Sequence, residues 1–208
     1  MKDIYDRIGR INFEKDHLYF QTYSRFYWSW MLMIRGDIDT SLKVGLGTIR
    51  MGQEENYPGA VGFGSTCAAY ITCMNEEFDR SIAYAEEGVR VAGGIVDRMI
   101  NEGMKGLSLT LGGRASEGLA LLQDVRRRLN EMHYYSLFNI VDMPIGLALA
   151  SVGDLAKGVA WLEKAANNHL AIGNSHGAAV TQYVTGEVYR QMATGAEKPS
   201  ASCWTAAM

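Results

Sequence analysis

The stretch GDLAKGVAWLEKA, residues 153–165, decides the fold. Gly153-Asp154 is a turn signal, and the apolar spacing that follows is that of an amphipathic helix. Gly158 nevertheless sits well inside the helical run, where glycine costs roughly 1 kcal/mol relative to alanine. A compensating reason is needed, and the rest of the chain supplies it. GDIDTSLKVGLGTIR (36–50), EEFDRSIAYAEEGVR (76–90) and GRASEGLALLQDVRR (113–127) have the same form as GDLAKGVAWLEKAAN (153–167). Their starts lie 40, 37 and 40 residues apart.

The register extends to both sides of each turn. Seven residues before each start stand Ser29, Ala69, Gly106 and Gly146; five residues after stand Ser41, Ser81, Gly118 and Gly158. Two small residues twelve apart, straddling a turn, describe a helical hairpin whose helices cross where side chains are smallest. Close backbone approach there can offset poor helix propensity. Gly186, forty residues after Gly146, marks a fifth half-repeat.

The expected first helices are 17–35, 57–75, 95–111, 134–152 and 175–193. The expected second helices are 38–52, 78–92, 115–131 and 155–171. Residues 2–14 are expected to form a leading helix, the second half of an incomplete unit. Only three prolines occur. Pro58 suits a first helical turn, whereas Pro144 kinks its helix or marks a restart after Asp142. No sustained period-two alternation bounded by turns points to a strand. The expected class is all-α: an α-solenoid of about four to five antiparallel helix pairs. The repeat domain is placed at 1–195, with units near 17–53, 57–93, 95–132, 134–173 and 175–194. An irregular tail follows at 196–208.

Composition narrows the function. Hydrophobic content is 48%, charged content 21% and net charge −3, a soluble globular balance with no basic surface for nucleic acid. The basic run Arg126–Arg128 reads as a solvated helix face. Residues 56–75 carry no charge but are too weakly apolar for a membrane span. The charged N-terminus gives no expectation of a secretory signal. Three cysteines without a CxxC fit a reducing, cytoplasmic setting.

Chemistry-bearing patterns are weak. There is no HExxH, GxSxG or GxxxxGK[ST]. Cys67 and Cys73 diverge by about 240° on a helix, which disfavours a zinc site with a histidine. VGLGTIRMG (44–52) has the spacing GxGxxxxG and no preceding strand, so a dinucleotide loop is not expected. No catalytic residue, metal or cofactor is assigned.

Spacing and paired small residues resemble a tetratricopeptide array, with units longer than the usual 34 residues. HEAT-like packing is the alternative architecture. Residues 146–200, and more loosely AEEGVRVAGG (85–94) and RASEGLALL (114–122), resemble the C-terminal repeats of bacterial class III nucleotide cyclase–ATPase signalling proteins. The resemblance covers most of 15–200; the cyclase and ATPase domains themselves are absent from this sequence. It implies a concave face lined by first helices: Tyr23, Phe26, Trp30 and Met33, then Phe63, Tyr70 and Met74, then Ile100 and Leu107, then Met143 and Leu147. Tyr23, Phe26, Trp30, Phe63, Tyr70, Met143 and Leu147 are the candidate binding residues, against the alternative that such residues form core. The implied function is a non-catalytic scaffold for a protein or peptide partner, or for neighbouring domains. Self-association through open solenoid ends is compatible with it. A small-ligand sensor acting on an attached cyclase or transcription regulator is the rival expectation.

Overall fold

The computed structural model describes residues 18–194. The leading helix expected at 2–14, the tail at 196–208, His17 and Cys203 lie outside the described residues. Among those described, the chain forms nine α-helices, one 3-10 turn and no strand. The helices are α1 Leu18–Ile34, α2 Ile38–Glu54, α3 Pro58–Met74, α4 Phe78–Val91 and α5 Ile95–Leu111, followed by α6 Ala115–Glu131, α7 Phe138–Ser151, α8 Leu155–Ala171 and α9 Ser175–Thr194. The described residues form two compact units, one from residues 18–72 with Arg80–Asn101, the other from Cys73–Asp79 with residues 102–194.

The helices stop for a local reason that recurs. After α1, Gly36 adopts φ +79°. The Asp37 N–H then reaches back to the Leu32 carbonyl (2.9 Å), and the Gly36 N–H to Met33 (2.8 Å). This paired closure satisfies carbonyls that a helix end leaves without partners. Gly113, Gly153 and Gly173 close α5, α7 and α8 in the same way. Asn56 and His133 do so after α2 and α6 at φ +50° and +60°, without the freedom of glycine. Glu76 holds φ +62° after α3. The next helix is then capped where the sequence provides an acceptor. Asp37 accepts from the Thr40 N–H (3.3 Å) and Asp154 from the Lys157 N–H (3.4 Å).

The twelve-residue pairs meet. In the first unit, the Ser29 hydroxyl donates to the Ser41 carbonyl (3.1 Å), and the Ser41 hydroxyl to the Ser29 carbonyl (2.6 Å). Ser81 donates to the Ala69 carbonyl at 2.5 Å. In the second unit, a Cβ added to Gly118 would collide with Thr110 Oγ1 and lie 2.6 Å from the Gly106 carbonyl. One added to Gly158 would lie 2.9 Å from both the Gly146 carbonyl and the Ala150 nitrogen. These separations leave no room for a side chain, which is why glycine persists mid-helix. At Gly186 an added Cβ would meet nothing within 4 Å.

Two expectations shift. Pro58 opens α3, as the first-turn reading requires. Pro144 lies inside α7, and the helix does not restart after Asp142. Instead a 3-10 turn at Tyr135–Leu137 delays the start of α7 to Phe138, four residues beyond the expected position.

The basic run is not a uniformly solvated face. Arg127 is exposed, pairing with Asp124 (2.5 Å) and Glu131 (2.8 Å). Arg126 turns inward, its guanidinium 3.1 Å from the Phe138 ring centroid and its Nε 2.6 Å from the buried Asp142 carboxylate. Arg128 pairs with Glu102 and Asp124. Such inward arginines are held because a buried carboxylate without a partner would be costly.

Candidate functional site

Helix α1, LYFQTYSRFYWSWMLMI, divides its circumference between two residue types. Thr22, Ser29, Leu32 and Met33 are buried. Tyr19, Tyr23, Phe26, Tyr27 and Trp30 follow a spacing of three or four residues along another face, and each keeps part of its ring in solvent. From α3, whose remaining residues within this unit are mostly small and buried, Phe63 and Tyr70 project half-exposed seven residues apart.

These rings touch in sequence. Tyr19 and Tyr23 centroids are 4.4 Å apart, Tyr23 and Phe63 4.8 Å, and Phe63 and Phe26 5.3 Å. Phe26 stacks near Trp30 at 6.4 Å, and Trp30 lies 5.0 Å from Tyr70. The separations fall in the range where tilted and edge-to-face aromatic pairs attract. The Tyr23 hydroxyl is pushed up to about 12 by its hydrogen bond with Tyr19 and then by burial, so it stays neutral at physiological pH. The seam is therefore apolar, with hydroxyl groups and no formal charge on its own rings.

The other expected inward positions fall differently. Met33, Met74, Leu107 and Leu147 are core, each no more than 2% exposed. Met143 and Ile100 are half-buried. Five of the seven candidate binding residues, Tyr23, Phe26, Trp30, Phe63 and Tyr70, thus come together in the first unit. Leu147 is buried in the interior of the second. The exposed Tyr19 and Tyr27 join the seam without having been named as candidates. Their spacing from Tyr23, four residues to either side, was the signal available.

The two described cysteines serve packing. Cys67 and Cys73 are buried, and burial pushes the Cys67 thiol up to about 12, leaving it an unreactive small hydrophobe. Among the described residues, no group of three His, Cys, Asp or Glu side chains could hold a metal ion. The glycines of 44–52 lie within α2. Gly45 faces Cys67, and a Cβ on Gly52 would lie 2.7 Å from the Val61 nitrogen, so they serve helix contact. Buried Asn101 accepts from the Thr66 hydroxyl (3.1 Å), and its side chain occupies the space where Gly88 lacks a Cβ. Among the described residues no helix is long and apolar enough to cross a membrane.

No family model, curated protein or solved structure matches this chain. The ring seam is therefore read from its own geometry.

Proposed function

We propose that this chain is a non-catalytic helical-repeat scaffold: a tetratricopeptide-like α-solenoid that mediates protein–protein contact in the cytoplasm. On this reading it is related to the repeat regions of bacterial nucleotide cyclase–ATPase signalling proteins, and its partner is a protein segment or a neighbouring domain. The observation that carries the proposal is the ring series from Tyr19 through Tyr23, Phe63, Phe26 and Trp30 to Tyr70. Contiguous aromatic surface left in contact with water is the kind of patch that association buries, and aromatic anchors dominate binding energies at such patches. The buried Cys67 thiol and the pairing of Asp142 with Arg126 support the non-catalytic half of the reading.

The test is affinity for a partner isolated on the wild-type chain. Trp30→Ala and Tyr70→Ala should each weaken it by about tenfold or more, the scale of an interface hot spot. Circular dichroism checks that each variant folds. Unchanged affinity in folded Trp30→Ala and Tyr70→Ala proteins refutes the assignment.

A further inference from the structure

The junction of α8 and α9, wholly within the second unit, holds a buried imidazole. His169 lies in the last turn of α8 and is 5% exposed. Asn174 begins α9, and its backbone and side chain are both committed. Its N–H donates to the His169 carbonyl (2.9 Å), and its carbonyl accepts from the Ala178 N–H (3.0 Å). Its side-chain Oδ1 accepts from the Gly177 N–H (2.9 Å), capping the helix. That contact fixes the orientation of the carboxamide, because only the oxygen can accept from a backbone N–H. The amide nitrogen must then face the imidazole, and Nδ2 lies 3.1 Å from His169 Nδ1. An N–H donor there requires Nδ1 to be an unprotonated acceptor, which places the ring proton on Nε2.

The fit is close. A Cβ on Gly177 would stand 2.6 Å from His169 Nδ1 and 2.7 Å from Asn174 Nδ2. The first turn of α9 is thus shaped around the imidazole and the carboxamide together. We propose that His169 and Asn174 form an acid-released latch: the neutral imidazole orients the Asn174 carboxamide to cap α9, and a proton at Nδ1 frees the start of that helix.

Protonation sets two donors against each other. Either the Asn174–His169 bond is lost, or the carboxamide rotates, gives its oxygen to the imidazolium and uncaps Gly177. One oxygen cannot serve both partners in this geometry. The surroundings reinforce the conflict. Burial holds the imidazole below its ordinary value, and His176 on α9 acts in the same direction. Asp142 on α7 opposes them, but its carboxylate is already engaged by Arg126 of α6 (2.6 Å) and Asn168 of α8 (3.4 Å). The unfolded chain takes up this proton near pH 6.5 more readily than the folded one. The junction is therefore at full strength above that pH and weakens as pH falls below it. The latch is independent of the docking role assigned to the first unit.

Two measurements on the full chain test it. With 15N-labelled histidine at pH 7.5, His169 Nδ1 should show the shift of an unprotonated ring nitrogen and Nε2 that of an N–H. Hydrogen exchange, corrected for its intrinsic pH dependence, should show the amides of 177–183 losing protection relative to α7 between pH 7.5 and 5.5. The loss should reach up to about tenfold per pH unit, the limit for one proton. His169→Gln removes the titration and should abolish the acid response; Asn174→Ser keeps a capping oxygen without the amide donor and should reduce it at 177–179, where the carboxamide no longer couples the proton to the cap. An Nδ1–H tautomer at pH 7.5, α9 protection falling in step with α7, an acid response retained in folded His169→Gln, or one undiminished at 177–179 in folded Asn174→Ser overturns the proposal.

Discussion

Ser29 and Ser41 cross in the first hairpin as Gly146 and Gly158 cross in the hairpin of α7 and α8, and the two crossings are held differently. In the first, two hydroxyl oxygens stand 3.0 Å apart and each hydroxyl donates to the opposite backbone carbonyl. In the second, the side chains are missing and backbone meets backbone, leaving 2.9 Å between the Gly146 carbonyl and the place where a Cβ would go. The register position therefore demands small volume, not a particular residue. A serine fits where its hydroxyl can be satisfied across the crossing, which avoids a buried donor without a partner. Glycine is needed where an added Cβ would meet backbone, as at Gly158. The two solutions lie in different compact units, so the rule belongs to the repeat and not to one local environment.

Substitutions at these crossings test that account. The largest effect is expected from Gly158→Leu, which should destabilise by about 1–3 kcal/mol in urea denaturation through overpacking; a variant of wild-type stability would undo the register. Gly158→Ser carries the first hairpin's solution into the fourth. Its Cβ would still meet the Gly146 carbonyl and Ala150, so a loss of about 1–2 kcal/mol is expected despite the added hydroxyl. Full tolerance would mean the two crossings are interchangeable. Ser41→Ala keeps the volume small but removes one donor, and should cost about 1 kcal/mol. A double-mutant cycle with Ser29→Ala would isolate the reciprocal pair. The smallest change is a gain. Glu76→Gly relieves the left-handed backbone at φ +62°, and thermal melting should show stabilisation of about 0.5–1 kcal/mol after the added flexibility of the unfolded chain is subtracted.

The helices and their crossings were legible because both depend on short spacings. A turn signal, a small residue five positions on and another seven before it all fall within one hairpin. The 3-10 turn at Tyr135–Leu137 was not legible, since YYSLF carries helix-compatible residues without a breaking glycine or proline. Arg126 reads as one of three equivalent arginines, and only the placement of Asp142, sixteen residues on, separates it from the exposed Arg127. The seam was half legible. Aromatic residues at three- and four-residue spacing define a face of α1, but meeting Phe63 and Tyr70 depends on how α3 lies against it. Spacing also cannot distinguish a half-exposed Trp30 from the core residue Leu147, because both satisfy the same register.

The repeated closure of the helix ends has a consequence for how such a chain can change. Leu32–Asp37, Leu109–Arg114, Leu149–Asp154 and His169–Asn174 are each closed by the same six-residue span of backbone hydrogen bonding. None of these backbone closures draws a bond from another hairpin, so each junction is a self-contained joint. Duplicating or deleting the segment between Leu109–Arg114 and Leu149–Asp154, whose closures start 40 residues apart, needs no new turn chemistry. Only the helix faces at the seam would have to adapt. Removing one helix would reverse the chain's direction at the next joint, whereas removing two keeps it, so the hairpin is the unit in which this molecule could lengthen or shorten.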